Sequence, residues 1–209
     1  MRKPFAIFAF CAALAIPSFA FAGDADAQAF VEKNHGKLMQ LLEQPAGAAR
    51  ENAMQQELNG IFDFEELTRR IFGATCPTGV ECKNHWATLT PAQQAEVTDL
   101  FRRLIEKTYK KNIERTKGFE VTYRGTREAS SNEWKIRTEA KNKAKPRDPS
   151  VRIAYLVRAT NGKQGAVDVE IENSSMVKNY NEQVSKMMTA PGQGYPYVVQ
   201  RIKSRIAAP

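Results

Sequence analysis

The hydropathy period of residues 167–188 changes partway along, and that change limits what the chain can fold into. Val167, Val169 and Ile171 alternate with Asp168, Glu170 and Glu172, the period of a half-buried strand. From Met176 onward, Met176, Val177, Tyr180, Val184, Met187 and Met188 fall at helical spacing. Asn173, Ser174 and Ser175 stand at the switch, where a helix N-cap belongs. A strand with one covered face therefore runs into an amphipathic helix with almost no loop. The apolar face of that helix is rich in Met and carries no acid, base or nucleophile. Such a face suits holding something greasy better than reacting with it.

The same two periods divide the rest of the chain. Phe30, Val31, Leu38, Leu41 and Leu42 predict a helix over 26–43, ended by Pro45; Met54, Leu58 and Ile61 predict a second over 46–59. Asp63 with Glu66 is close to a capping box for a third helix, which Gly73 stops. Thr90, Pro91 and Gln93 form a strong start for a helix to about 115, with Val97, Leu100, Phe101, Leu104, Ile105, Tyr109 and Ile113 in one stripe. Period 2 returns in Phe119–Val121–Tyr123, Trp134–Ile136–Thr138–Ala140 and Val151–Ile153–Tyr155–Val157. Asn161-Gly162 supplies a hairpin turn into the strand that begins at Val167. A last helix follows Pro196, with Val198, Val199, Ile202 and Ile206 inward. The expected fold class is α+β: N-terminal helices, a four-stranded antiparallel sheet with one face covered, and C-terminal helices. Helices from both ends of the chain must share that one face, an arrangement that favours a cavity between the layers.

The first residues read as an export signal. Arg2 and Lys3 precede an apolar run from Phe5 to Ile16, and Ala20-Phe21-Ala22 is a cleavage signal. Cleavage after Ala22 divides the chain into a signal peptide, 1–22, and a single domain, 23–209. Losing Arg2 and Lys3 lowers the net charge from +8 to +6. A basic excess fits an acidic partner or anionic lipid headgroups, and export argues against nucleic acid. Cys76 and Cys82 survive cleavage, and an even count in an exported protein reads as a disulfide. The competing reading, a metal pair, has only His85 nearby.

Catalytic groups are sparse. His35 and His85 lack partners at ligand spacing, and Asp63, Glu65 and Glu66 sit where carboxylates stabilise a helix N-terminus. No nucleophile–base motif is present, so an enzyme is not expected. A basic helix face (Arg102, Arg103, Lys107, Lys110, Lys111) offers an alternative role, an exported adaptor docking an acidic partner. A small exported hydrolase on a similar fold is a third reading, and it lacks an inward-facing ionisable group.

Three segments together resemble the MlaC family of periplasmic phospholipid shuttles, also called the toluene-tolerance auxiliary family. They are 61–73 (IFDFEELTRRIFG); Trp86 and Leu89-Thr90-Pro91-Ala92-Gln93-Gln94 through Phe101, Leu104, Ile105, Thr108 and Tyr109; and Asp168-Val169-Glu170-Ile171 with Ser175, Val177, Asn179-Tyr180 and Gln183. The resemblance spans about 28–206. It implies a monomeric periplasmic lipid carrier with no cofactor and a bound lipid as cargo. Its implied partners are an outer-membrane lipoprotein complex and an inner-membrane lipid ABC transporter that maintain outer-membrane lipid asymmetry. Phospholipid is the implied cargo, and other acyl or polycyclic lipids such as hopanoids remain open.

Residues that face the shared layer and fall on the matching elements give the expected lipid-binding set. It comprises Phe64, Leu67, Phe101, Leu104, Ile105, Tyr109, Tyr123, Tyr155, Val169, Met176, Val177 and Tyr180. Apolar stripes are ordinarily core, and the excess of Met and Tyr on these elements is what favours a pocket. The chain departs from the family pattern at the 74–84 loop, at Gln164-Gly165-Ala166, at Asn181 and at Val184. Changed cargo contacts are expected at the last three of these places.

Overall fold

The computed structural model describes residues 23–75, 83–113 and 117–208, without the side chains of 111–113. The expected leader, 1–22, and the Cys76/Cys82 pair, whether disulfide or metal site, lie outside the described residues.

Three helices lead the described chain: α1 (Asp24–Glu43), α2 (Ala48–Ile61) and α3 (Phe64–Ile71). After a single 3-10 turn at Trp86–Thr88 comes the long α4 (Pro91–Ile113). Four strands follow in a meander: β1 (Phe119–Ser130), β2 (Glu133–Asn142), β3 (Val151–Thr160) and β4 (Lys163–Ile171). A two-residue β5 (Ser174–Ser175) leads directly into α5 (Met176–Thr189), and α6 (Tyr195–Ala207) ends the fold. The sheet order is β1-β2-β3-β4-β5, antiparallel throughout. The fold is thus α+β, with a fifth strand beyond the four expected. Ser174 and Ser175 turn back to pair with Ile171 and Glu170 before the helix begins, so the junction read as a cap is also a strand.

Local chemistry explains the boundaries. The Asp63 side chain accepts from the Glu66 N–H at 3.0 Å and starts α3. Thr90 and Gln93 close a reciprocal box ahead of α4, at 2.9 and 3.3 Å. Ser175 Oγ accepts from the Lys178 N–H at 3.0 Å and starts α5. Asn161 and Gly162, with φ of 51° and 74°, make the β3–β4 hairpin turn.

Two packing units hold these elements. The larger one is helical: Leu67, Ile71 and Phe72 near α3, Leu100, Phe101 and Leu104 of α4, Val184 of α5, and Val198 and Ile202 of α6 are buried together. The Phe72 and Phe101 rings meet edge-on at 6.3 Å, and Phe101 meets Tyr180 at 5.4 Å. The smaller unit joins α1 to the sheet through Ala27, Val31, Trp134, Ile136 and Val157.

The helices are fastened to the sheet at two close approaches. The α2–α3 connector runs beside β4, where the Asp63 N–H donates to the Ala166 carbonyl at 3.1 Å. A Cβ at Gly165 would lie 2.8 Å from Asp63 Cβ and 3.0 Å from its nitrogen, so only glycine admits this contact. Beside it lies a charge cluster. Glu66 accepts from Arg69 and Arg70, each at 2.9 Å, and pairs with Arg158 of β3 at 2.8 Å, while Arg70 reaches on to Glu133. Burial pushes the Glu66 carboxyl up, but the hydrogen bonds from Arg69 and Arg70, with the fields of Arg70 and Arg158, hold it below its ordinary value. The carboxylate expected only to favour a helix N-terminus is therefore the centre of a sheet-to-helix ionic contact.

Candidate functional site

The inward face of the sheet is not evenly filled. Along β2 the inward residues are Trp134, Ile136, Thr138 and Ala140, and their size falls from one end to the other. Opposite them on β3 stand Val157, Tyr155, Ile153 and Val151. At the large-residue end, Trp134 is 6% exposed, and Ile136 and Val157 are 0% exposed against α1. At the small-residue end no side chain reaches across, and a cavity of about 540 Å³ opens between the sheet and α1, α4 and α5.

Phe119 and Val121 of β1, Ile153 and Tyr155 of β3, and Val169 and Ile171 of β4 form its floor. Phe30, Leu38 and Met39 of α1, Ile105 and Tyr109 of α4, and Met176 and Tyr180 of α5 form its walls. Several of these residues are only half-buried although they face inward, because they face open space. Thr108, Ile171, Ser174, Asn179 and Arg205 also line the cavity and are solvent-exposed. They gather at the C-terminal ends of α4, β4 and α6 and the N-terminal end of α5, which places the mouth there. Ile171 is 54% exposed at this mouth and is the exposed large hydrophobic residue among those described.

The lining is nearly free of charge. It contains no carboxylate and no cysteine among the described residues, and its ionisable nitrogen groups are His35 and Arg205. Burial lowers the His35 pKa and so favours the neutral imidazole. Burial pushes the Tyr155 phenol up to about 12 and raises Tyr109 as well, with a further push from Tyr155. The tyrosines are therefore neutral hydroxyls under ordinary conditions. An isolated neutral imidazole with no carboxylate beside it gives no acid–base pair for bond cleavage. No group of three or more His, Cys, Asp or Glu among the described residues is placed to hold a metal. The lining suits burial of an apolar ligand.

Of the twelve residues expected to contact lipid, Ile105, Tyr109, Tyr155, Val169, Met176 and Tyr180 line this cavity. Phe101 and Leu104 line a smaller recess between α4, α5 and α6, which shares Tyr180, Gln183 and Arg205 with the cavity. Phe64, Leu67 and Val177 belong to the helical core, and Tyr123 packs at the filled end of the sheet. The helices pack on one another as well as on the sheet, so part of each stripe never meets the sheet. Phe119 and Val121, in the same alternation as Tyr123, reach the cavity and were missed, as were Asn34 and His35 of α1.

Asp168 was expected to point to the polar side with Glu170. It is instead buried, and its carboxylate takes three hydrogen bonds: the Val169 N–H at 2.8 Å, Ser175 Oγ at 2.5 Å and the Val177 N–H at 3.0 Å. It ties β4 to the first turn of α5, the wall of the cavity. Burial raises its pKa, against the pull of the Ser175 and backbone hydrogen bonds. A register shift sits just before it: Tyr155 faces Val169 and Leu156 faces Asp168, but Val157 faces Ala166, leaving Val167 as the extra residue. Ala166, not Val167, lines the cavity.

The departures at Asn181 and Val184 face away from the main cavity. Asn181 Nδ2 donates to the Ile71 carbonyl at 2.9 Å and satisfies the end of α3, while Val184 fills the helical core and edges the smaller recess. His85 is buried, its N–H donating to Phe72 at 2.8 Å. On the basic face of α4, the side chains of Arg102, Lys107 and Lys110 are already paired. Arg102 pairs with Asp99 and with Glu106 at 2.9 Å, and Lys110 with Glu51 at 2.5 Å. Lys107 binds the carbonyls that end α6, including Ile206 at 2.9 Å.

Fold and cavity together define an α+β domain built around a largely apolar chamber with a polar mouth. The profile of the family described as MlaC protein matches residues 32–204, and the chain belongs to that family. Among solved structures, the fold is similar to that of a phospholipid-binding protein from Ralstonia solanacearum, solved in complex with a phospholipid. The TM-score is 0.72 at 20% identity, over 87% of this chain and 97% of that one. None of the curated proteins matches the chain. No helix among the described residues is long and apolar enough to cross a membrane.

Proposed function

We propose that this protein is a periplasmic lipid carrier that holds the acyl part of a phospholipid, or of a related lipid, in the chamber between sheet and helices. It shuttles its cargo between an outer-membrane lipoprotein complex and an inner-membrane lipid ABC transporter, and it has no catalytic role. The observation that carries this reading is the hollow end of the sheet: inward residues, mostly apolar and with no carboxylate among them, face open space. Family membership and the phospholipid bound by the structural neighbour support it.

The energetics fit a carrier. A chain of about 15 methylenes gains about 12 kcal/mol on leaving water, at ~0.8 kcal/mol per CH₂. A lipid crossing the periplasm unaided must give up most of that. A chamber lined by Ile153, Val169 and Met176 returns it, so loading and unloading against a membrane are nearly balanced. The pairing of Arg102, Lys107 and Lys110 of α4 within the molecule weighs against the alternative adaptor role.

The test is to purify the mature protein and measure lipid in an organic extract by mass spectrometry. A stoichiometric acyl lipid is expected. Absence of co-purified lipid, together with failure to take up a fluorescent phospholipid, overturns the reading. Met176→Asp should abolish uptake in a folded protein, because Met176 faces the chamber.

A further inference from the structure

The recess beside the main cavity is chemically different from it. Its volume is about 280 Å³, and it lies where α5 and α6 meet α4. Phe101, Leu104, Val184 and Ile202 give it an apolar floor. Lys186, Arg201 and Arg205 stand around it with no carboxylate in its lining. All three are solvent-exposed at its rim. The recess and the main cavity share a wall: Tyr180, Gln183 and Arg205 line both. Arg205 is already oriented, one guanidinium N–H donating to Gln183 Oε1 at 2.8 Å.

We propose that this recess is the headgroup subsite of the carrier and that it selects lipids whose headgroup carries a net negative charge. The inference rests on the carrier reading: the acyl part fills the main cavity, and the polar part turns at Arg205 into the recess. A phosphodiester there meets two guanidinium groups, which bind its oxygens in a fork, and one ammonium. A phosphoglycerol headgroup adds hydroxyls, which Gln183 and Gln193 can pair. A zwitterionic phosphoethanolamine brings an ammonium as well. That ammonium finds three like charges and no acid among the lining residues, so electrostatics disfavours it.

The probe is delipidated mature protein incubated with vesicles of equal phosphatidylglycerol and phosphatidylethanolamine of identical acyl chains, read by native mass spectrometry. The expected result is a preference for phosphatidylglycerol of about tenfold, the size of one charge-assisted hydrogen bond. The double variant Lys186→Gln/Arg201→Gln should bring the preference to near parity, chiefly through lower phosphatidylglycerol loading, and its unfolding temperature should match the wild type. Arg201→Lys, which keeps the charge, should retain most of the preference. Equal loading of the two lipids by the wild type, or an unchanged preference in the double variant, overturns the subsite and leaves the carrier reading intact. No loading of either lipid overturns both. A parallel arm adds inorganic phosphate to the delipidated protein. Tight binding of phosphate with no lipid preference identifies a site for a free anion and also overturns the headgroup assignment.

Discussion

The two ends of one sheet face have opposite fates. At the β2 start, Trp134 and Ile136 with Val157 close against Ala27 and Val31 of α1, and nothing is left open. At the β2 end, Thr138 and Ala140 stop short, and Val121 and Ile153 look into a chamber. The same strands, alternation and covering helix α1 serve both ends. The difference is side-chain volume along β2, graded from indole to methyl. A cavity therefore needs no special fold. It needs small residues at one end of a face whose helices are held off by contacts elsewhere, here the helical core, the Gly165–Asp63 approach and the Glu66 cluster.

The contrast is sharpest under truncation. Trp134→Ala at the filled end should destabilise the fold by about 3–5 kcal/mol, the range for large core deletions. Ile153→Ala at the hollow end should cost less than about 1 kcal/mol, since it enlarges an existing space rather than making one. Urea unfolding of both variants measures this, and equal losses break the comparison. Next in size is Asp168→Ala. It leaves the Val169 and Val177 N–H groups without their acceptor and should cost about 1–3 kcal/mol. Asp168→Asn, which keeps an acceptor oxygen, should retain most of the stability.

Filling the hollow end separates stability from binding. Ala140→Leu should change unfolding by less than about 1 kcal/mol yet sharply reduce lipid loading, because the added methylenes occupy the chamber. A loss of stability without loss of loading would show that the end is already filled. The smallest effect is that of pH on His35. Its folded pKa lies below the ordinary value of about 6.5. The stability it contributes is fully present above pH about 6.5 and is lost as pH falls through the lowered folded value. Denaturation at pH 7 and pH 5 should therefore show a larger acid loss in the wild type than in His35→Gln.

Much of the fold was legible because local chemistry and period agree. The cap at Asp63, the box at Thr90, the Asn161-Gly162 turn and the strand-to-helix switch at 174–176 all stand where the sequence places them, while the Glu66 half of the expected box at Asp63 goes to arginines instead. The site was half legible. Periodicity reports that a side chain faces inward, but not whether a helix or a void meets it there. Phe64, Leu67 and Val177 meet helices, whereas Tyr155 and Met176 meet the chamber. Asp168 was missed for a different reason. Its burial depends on the Ser175 hydroxyl and the Val177 N–H that close over it, contacts that the alternation along β4 does not report. The narrowing from Trp134 to Ala140 was visible in the sequence, and it is the signal that marks the hollow end.

That gradient also makes the protein modular in a quantitative way. Residues 138 and 140 set how much of the chamber remains, while the contacts that keep the chain folded lie chiefly at the other end of the strand and among the helices. Cargo length can then drift from one relative to another through one or two small substitutions, without a compensating change in the core. On the carrier reading, β2 works as a graduated scale: the residue at which its side chains become small limits the length of chain the chamber has room for.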